Sequence, residues 1–452
     1  MKLRIRPSHF TRACLSVIAA ALCLFATASI RTAHAQTPSP EDLKRDRNRG
    51  LAMLQLMKDY LRDYYYDPQF HGMNLDTRFK VSEDKIKEAA NLGQVLGIVA
   101  QTLAELNDSH TFFVPPPRPV DVDYGWKMQM IGDNCYVVAV KPESDAAAQG
   151  LNPGDEVLSL DGFRPSRQTI WKMEYSYNLL RPQPGKHVIV RTPGGAERDL
   201  ALKAKVEKRP KQINLEEWFN QMYEEYEDEK RLARYVELGS DVLIWKLREF
   251  GLTESKVDDT MKKAAQHKAL ILDLRGNHGG YEVTLKRLVG YFFDRDITIG
   301  EIKRRKETKP IKAKSRGDKA FKGKLVVLID SQSGSAAELF ARTIQIEKRG
   351  TVIGDRSAGA VMRSIFRPGL LGDMSSGNMI PYGASITDAD FLLTDGQSLE
   401  HVGVTPDEIV LPTAADLAAK HDPVLARAAA IIGVELSAVK AGTFFPIEKE
   451  LH

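Results

Sequence analysis

Residues 325–342 read LVVLIDSQSGSAAELFAR, and the fold of the chain is decided by this stretch. Residues 325–329 are a short, β-branched apolar run of the kind that forms a fully buried strand. The run ends in Ser331-Gln332-Ser333-Gly334-Ser335, and residues 336–346 are rich in good helix formers. A serine at a sharp strand-to-helix turn exposes its hydroxyl beside the free N–H groups of the helix, where a developing oxyanion is best stabilised. The plainer alternative is that Ser335 only caps that helix.

Downstream and upstream of this turn, strands and helices alternate. Strand patterns fall at 242–246, 269–274, 298–303, 325–329 and 351–353, with helical patterns at 257–266 and 282–293. Such alternation predicts an α/β core with at least part of its sheet parallel. The basic run 304–324 reads as a solvated loop, and residues 414–430 read as helical, within a terminal cap. Between 120 and 206 the pattern is of short strands, at 127–131, 136–140, 156–160 and 187–192. A small-residue helix closed by Gly150 and a turn stands among them. Residues 41–107 read as amphipathic helix, chiefly at 51–65 and 81–106, with Tyr64-Tyr65-Tyr66 a packing and turn feature. Pro115-Pro116-Pro117 closes that region. The charged 207–235 stretch reads as a solvated helix or connector.

Composition bounds the function. Lys2, Arg4, Arg6 and Arg12 precede the apolar run 13–28, and Ala33-His34-Ala35 offers small residues at the −3 and −1 positions of a cleavage site. This is the pattern of a secretory signal peptide cut after Ala35, which predicts a periplasmic or secreted protein. Leu22-Cys23 is a poor lipobox. No later run reaches the roughly 18 apolar residues of a membrane span. Removing residues 1–35 takes five Lys/Arg and no Asp/Glu from a chain of net charge +4, leaving −1. Nucleic acid is therefore not an expected partner. Cys135 would be the single remaining cysteine, so no internal disulfide framework is expected. There is no HExxH, CxxC or Walker-type loop, so neither a metal nor any cofactor is implied.

Sequence-distant pieces then agree. LNDSHTFF (106–113), LILDLRGNHGG (270–280), LVVLIDSQSGSAAE (325–338), IGDRSAGA (353–360) and LEHVGVTPDEIV (399–410) resemble, in order and spacing, the C-terminal processing (tail-specific) serine protease family. AAAQGLNPGDEVLSLDG (146–162), with Tyr124-Gly125-Trp126, resembles a PDZ domain inserted in that family's chain. The resemblance implies an α+β / α/β multidomain protein with a core of the ClpP/crotonase-like type. Its expected parts are a signal peptide (1–35), a helical region (36–113), a PDZ-like domain (118–206), the protease core (207–412) and a helical cap (413–452). It also implies an exported serine endopeptidase acting on protein or peptide substrates.

Residue by residue, the family's nucleophile falls on Ser335, with Ser331 and Ser333 out of register. The oxyanion donors fall on the backbone N–H groups of Gly280 and Ala336, which suit the charge of a tetrahedral intermediate. The lysine base of the Ser-Lys type would fall on Ala360, so that dyad is excluded. Arg356 cannot replace it, because a guanidinium does not release a proton. The tricorn core protease branch instead uses a histidine oriented by a glutamate, which here are His110 and Glu400, with Ser109 beside them. A histidine near its ordinary pKa is a suitable base at neutral pH. His278 and His401 are rival bases ranked below His110. Tyr124, Gly125 and Trp126 are the expected peptide-binding residues, presenting backbone N–H groups to a C-terminal carboxylate. The alternative function is an inactive protease-fold protein that binds peptides or apolar ligands.

Overall fold

The computed structural model describes residues 39–208, 233–372 and 380–446. The expected signal peptide and cleavage site and most of the charged 207–235 stretch lie outside the described residues. Residues 1–45 and 46–452 form two compact units. In the first, Ser39 Oγ accepts the Asp42 N–H at 3.1 Å, at the start of helix α1 (Pro40–Tyr64).

Met53, Leu54, Met57 and Leu61 recur at helical spacing along α1 and are buried against α2 (Leu75–Glu88) and α3 (Leu92–Ala104). The expected continuous helix over 81–106 is two helices. Asn91 takes extended dihedrals and its side chain caps the Gln94 N–H at 3.0 Å, starting α3 afresh. Tyr65 is fully buried in this helical core, whereas Tyr64 is exposed.

Strand β1 (Phe112–Val114) leaves the helices, and β2 (Val120–Asp123) leads into an antiparallel sheet. That sheet has the order β3 (Trp126–Ile131), β4 (Asn134–Val140), β5 (Glu156–Leu160), β6 (Gly185–Arg191), β7 (Glu197–Lys203), so β3 is an edge. The short helix α4 (Asp145–Ala148) follows β4. Helix α5 (Ile170–Glu174), continued by a π-helical turn to Leu180, follows β5. Strand β8 (Lys205–Lys208) returns to pair antiparallel with β2.

The core sheet contains β9 (Ala233–Leu238), β10 (Val242–Leu247), β11 (Ala269–Asp273), β14 (Lys324–Ile329), β15 (Thr351–Gly354) and β18 (Glu408–Ile409), in the order 18-15-14-11-10-9. Every pair is parallel except β9–β10. Its central strands are buried on both faces, hence their continuous Val/Ile/Leu runs. One face packs on α6 (Glu254–Ala264), α7 (Glu282–Val289) and α8 (Ala336–Ile346). The other is covered by α10 (Pro423–Ile432). The expected helix over 414–430 is broken into α9 (Ala414–Ala419) and α10, because Lys420 turns left-handed and Pro423 starts the next helix.

A second sheet joins β1, β12 (Ile297–Lys303), β13 (Thr308–Ala313), β16 (Met362–Leu371) and β17 (Ile380–Leu393). The basic run 304–324 is therefore only partly a loop. Ile311 and Ala313 are buried while Pro310 and Lys312 are exposed, a strand alternation hidden by the charge.

Candidate active site

Strand β14 delivers the chain to a turn organised by Asp330. Its carboxylate accepts the N–H groups of Gly276 (2.9 Å), Gln332 (3.0 Å) and Ser333 (3.1 Å). Two of the three neighbouring serines have structural work here. Ser333 Oγ donates to the Leu274 carbonyl at 2.8 Å and is fully buried, and Ser331 Oγ donates to the Met130 carbonyl of β3. Ser335 differs. It stands at the N-cap of α8 with φ 51° and ψ −117°, a left-handed conformation that costs a non-glycine residue of order 1–3 kcal/mol. Its N–H is held by the Ala360 carbonyl at 2.8 Å and by Glu338 Oε2 at 3.0 Å.

The glycine turn after β11 lies against this serine. A Cβ on Gly279, whose φ is +106°, would come within 2.5 Å of Ser335 Cβ, so only glycine permits the approach. The Gly279 N–H is taken by Asn277 Oδ1 at 2.8 Å. Asn277 is fully buried, and its amide donates to Leu247 while its carbonyl accepts the Gly334 N–H. The turn is thereby tied to both β10 and the serine loop. Among the described residues, the Gly280 and Ala336 N–H groups donate to no protein acceptor, whereas Gly279, Ser335 and Ala337 all do. These two are the donors expected for an oxyanion.

Ser109, His110 and Glu400 come together from segments almost 300 residues apart. Glu400 Oε1 accepts the Ser109 N–H at 2.9 Å and Oε2 accepts the Ser109 hydroxyl at 2.9 Å. Ser109 Oγ is in turn 2.7 Å from His110 Nδ1. A hydroxyl has one proton; given to the carboxylate, it leaves Oγ as acceptor, so Nδ1 carries the ring proton and Nε2 keeps its lone pair. Burial holds His110 below its ordinary pKa, against the opposing pull of Glu400 and Asp108, so the ring is neutral at pH 7. Glu400 Oε2 also accepts the Val361 N–H at 2.9 Å. The preceding residue, Ala360, is the one whose carbonyl holds the Ser335 N–H, so one short segment bridges the serine and the carboxylate.

Residues overlooked in the sequence reading complete the site. Asp108, almost fully buried, accepts the N–H groups of His110 (2.8 Å) and Thr111 (3.1 Å) and the Thr387 hydroxyl (2.8 Å). It fixes the His110 backbone to β17. An Asp two residues before a candidate histidine is an Asx-turn signal that could have found it. Glu338, fully buried, accepts from Ser335 N–H, Ser357 Oγ, Gly359 N–H (2.8 Å) and Ala360 N–H (3.0 Å). Burial pushes its carboxyl up to about 7 in spite of these hydrogen bonds. The rival His401 has its Nε2 2.8 Å from the Asn107 carbonyl and 3.5 Å from Glu400 Oε1, so it stands beside the carboxylate with that nitrogen engaged by the backbone. His278 lines a cavity.

That cavity, of about 850 Å³, lies between β3, α5 with its π-helical turn, and the core. Tyr124 and Trp126 line it, as do Gly276, His278 and Gln332 next to the serine turn. The Gly125 N–H is engaged by Asp123 Oδ1 at 2.8 Å. Among the described residues no group of three His, Cys, Asp or Glu side chains could hold a metal ion, and no helix is long and apolar enough to cross a membrane. Cys135 is buried as a free thiol.

Comparison with known proteins accords with this geometry. Residues 241–410 match the model of Peptidase family S41. The chain is 21% identical over 420 residues to a protein of Staphylococcus epidermidis described as a "Probable CtpA-like serine protease", covering 90% of this chain and 74% of that one. It is 23% identical over 287 residues to the tail-specific protease of Haemophilus influenzae, covering 59% and 38%. The fold is similar to that of mature CPAF, with a TM-score of 0.62 at 14% identity, over 83% of this chain and 94% of the other. The resemblance drawn from the motifs is matched by these comparisons: residues 241–410, which hold most of the parallel core sheet, are similar to Peptidase family S41. The matches indicate a serine-type peptidase.

Proposed function

We propose that the protein is an exported serine endopeptidase in which Ser335 is the nucleophile and His110 its general base. The observation that carries this reading is the chain Glu400–Ser109–His110, which leaves His110 Nε2 as a proton acceptor, joined through Ala360–Val361 to the Ser335 backbone. In the reaction, Ser335 Oγ attacks the scissile carbonyl while His110 Nε2 takes its proton. The oxyanion forms on the Gly280 and Ala336 N–H groups, and His110 protonates the leaving amine. Water, deprotonated by the same nitrogen, releases the acyl group. Glu400 stabilises the imidazolium through Ser109. The antiparallel domain carrying β3–β7 is read as PDZ-like and as the part that receives substrate. The apolar N-terminal run is read as the export signal, and protein or peptide chains as the substrates.

The test is labelling of the mature protein by a fluorophosphonate probe, with Ser335→Ala and His110→Ala beside it. Labelling that requires both residues is expected. Equal labelling of the Ser335→Ala protein would overturn the nucleophile. A folded wild-type protein that binds peptides but never labels would instead favour the non-catalytic alternative, which rests on Ala360 standing where the lysine of the Ser-Lys type would be.

A further inference from the structure

The cavity beside β3 contains a cation that is in direct contact with no carboxylate among the described residues. Lys186, on β6, is 8% exposed. Its Nζ lies 3.5 Å from the centre of the Tyr124 ring and 4.5 Å from that of Tyr177, with Trp126 at 6.0 Å. Among the described residues it makes no hydrogen bond and no ion pair. Burying an ammonium without a partner is costly, and the faces of three rings offset only part of that cost. The acidic groups nearest in charge are Glu174, on the same cavity wall, and Asp161. Burial holds Lys186 down at about 8 and pushes Glu174 up to about 7, in each case against the attraction of the other charge across the cavity.

In the turn expected to receive an anion, one N–H is already engaged. The Gly125 N–H is given to Asp123, whose other oxygen is held by Lys141 at 2.5 Å. The chain's own carboxylate thus sits on the turn that was expected to offer its N–H to a ligand. Tyr124 cannot swing away to reopen it, because its hydroxyl donates to the Gln183 carbonyl at 3.0 Å and accepts the Gln183 N–H at 2.9 Å.

We propose that the cavity is a carboxylate-binding site in which the caged Lys186 ammonium, rather than the Tyr124-Gly125-Trp126 backbone, holds a carboxylate of a bound peptide. The peptide would enter along the β3 edge, with its carboxylate pointing into the cage and the rest of its chain directed toward the Ser335 turn. The carboxylate could be the peptide's own C-terminus or an Asp or Glu side chain; the chemistry at Lys186 is the same. The inference rests on the peptidase reading only in taking a peptide as the ligand.

Binding is measured by calorimetry on the mature chain carrying Ser335→Ala, so that turnover plays no part and failure of the catalytic assignment leaves the result intact. Three ten-residue peptides are compared: neutral with a free C-terminus, neutral and amidated, and amidated with a penultimate Glu. At least one carboxylate-bearing peptide is expected to bind tenfold or more tightly than the neutral amide. The free C-terminus or the Glu peptide, whichever wins, names the source. Adding Lys186→Met should abolish that tenfold preference. Equal affinity for all three peptides would overturn the site, and so would a preference that survives in a folded Lys186→Met protein. If Lys186→Met fails to fold, the peptide comparison alone decides.

Discussion

Glu400 reaches the imidazole of His110 only through Ser109: its carboxylate takes both the N–H and the hydroxyl of that serine, and makes no hydrogen bond to the ring. Ser109 is therefore the part that fixes the tautomer. Ser109→Ala should lower kcat by about 10²–10⁴-fold with KM little changed, the range seen when the orienting partner of a catalytic histidine is lost. Steady-state hydrolysis of a peptide substrate checks this. A variant within threefold of wild type would show the relay to be incidental.

The pH dependence follows from the direction of the His110 shift. Burial disfavours its charged form, so the neutral base persists below the ordinary value of 6.5. The acid limb of kcat/KM should lie below that pH. Glu400→Gln removes a charge that raises the His110 pKa, so its slower residual activity should show a limb moved to still lower pH. A limb moved upward would contradict the electrostatic assignment.

Glu338 makes a second, separable prediction. Its folded pKa of about 7 is raised from the ordinary value of 4.5, so between those two pH values the folded protein holds a proton that the unfolded chain has released. The stability contributed by that proton is complete below pH 4.5 and lost as pH rises through 7. Glu338→Gln should flatten this slope. It should also cost about 1–3 kcal/mol for each donor left unsatisfied, because whichever oxygen becomes the amide nitrogen, the two donors it held lose their acceptor. Thermal unfolding at pH 5 and pH 8 measures both.

Gly279→Ala tests the close approach of the glycine turn. The new methyl would press on Ser335 Cβ at 2.5 Å and sit on a backbone of φ +106°. Fluorophosphonate labelling should fall at least 100-fold, about 3 kcal/mol of lost transition-state stabilisation. Far-UV circular dichroism should still report the native sheets. Undiminished labelling would place the oxyanion donors elsewhere.

The parallel core was legible because β10, β11 and β14 are buried on both faces and declare themselves as unbroken apolar runs. Ser335 was legible for a related reason, since only a strand-to-helix turn gives that succession of residues. The β12–β13 hairpin was obscured because lysines occupy its outward positions. Asp108 and Glu338 were passed over because their role is to satisfy backbone N–H groups that become neighbours only after folding. The engagement of Gly125 by Asp123 is likewise invisible in sequence: two residues apart, they look like an ordinary turn.

Strands β2 and β8 pair residue for residue, Val120 with Lys208 through Asp123 with Lys205. The segment they enclose, with the β3–β7 sheet, thus departs from and returns to a single two-stranded stem. An Asn-Gly turn joining Asp123 directly to Lys205 would leave an ordinary hairpin. The chain is in this sense built with an excision point: the whole β3–β7 module could be cut out, or exchanged for another, without re-threading the core sheet beneath it.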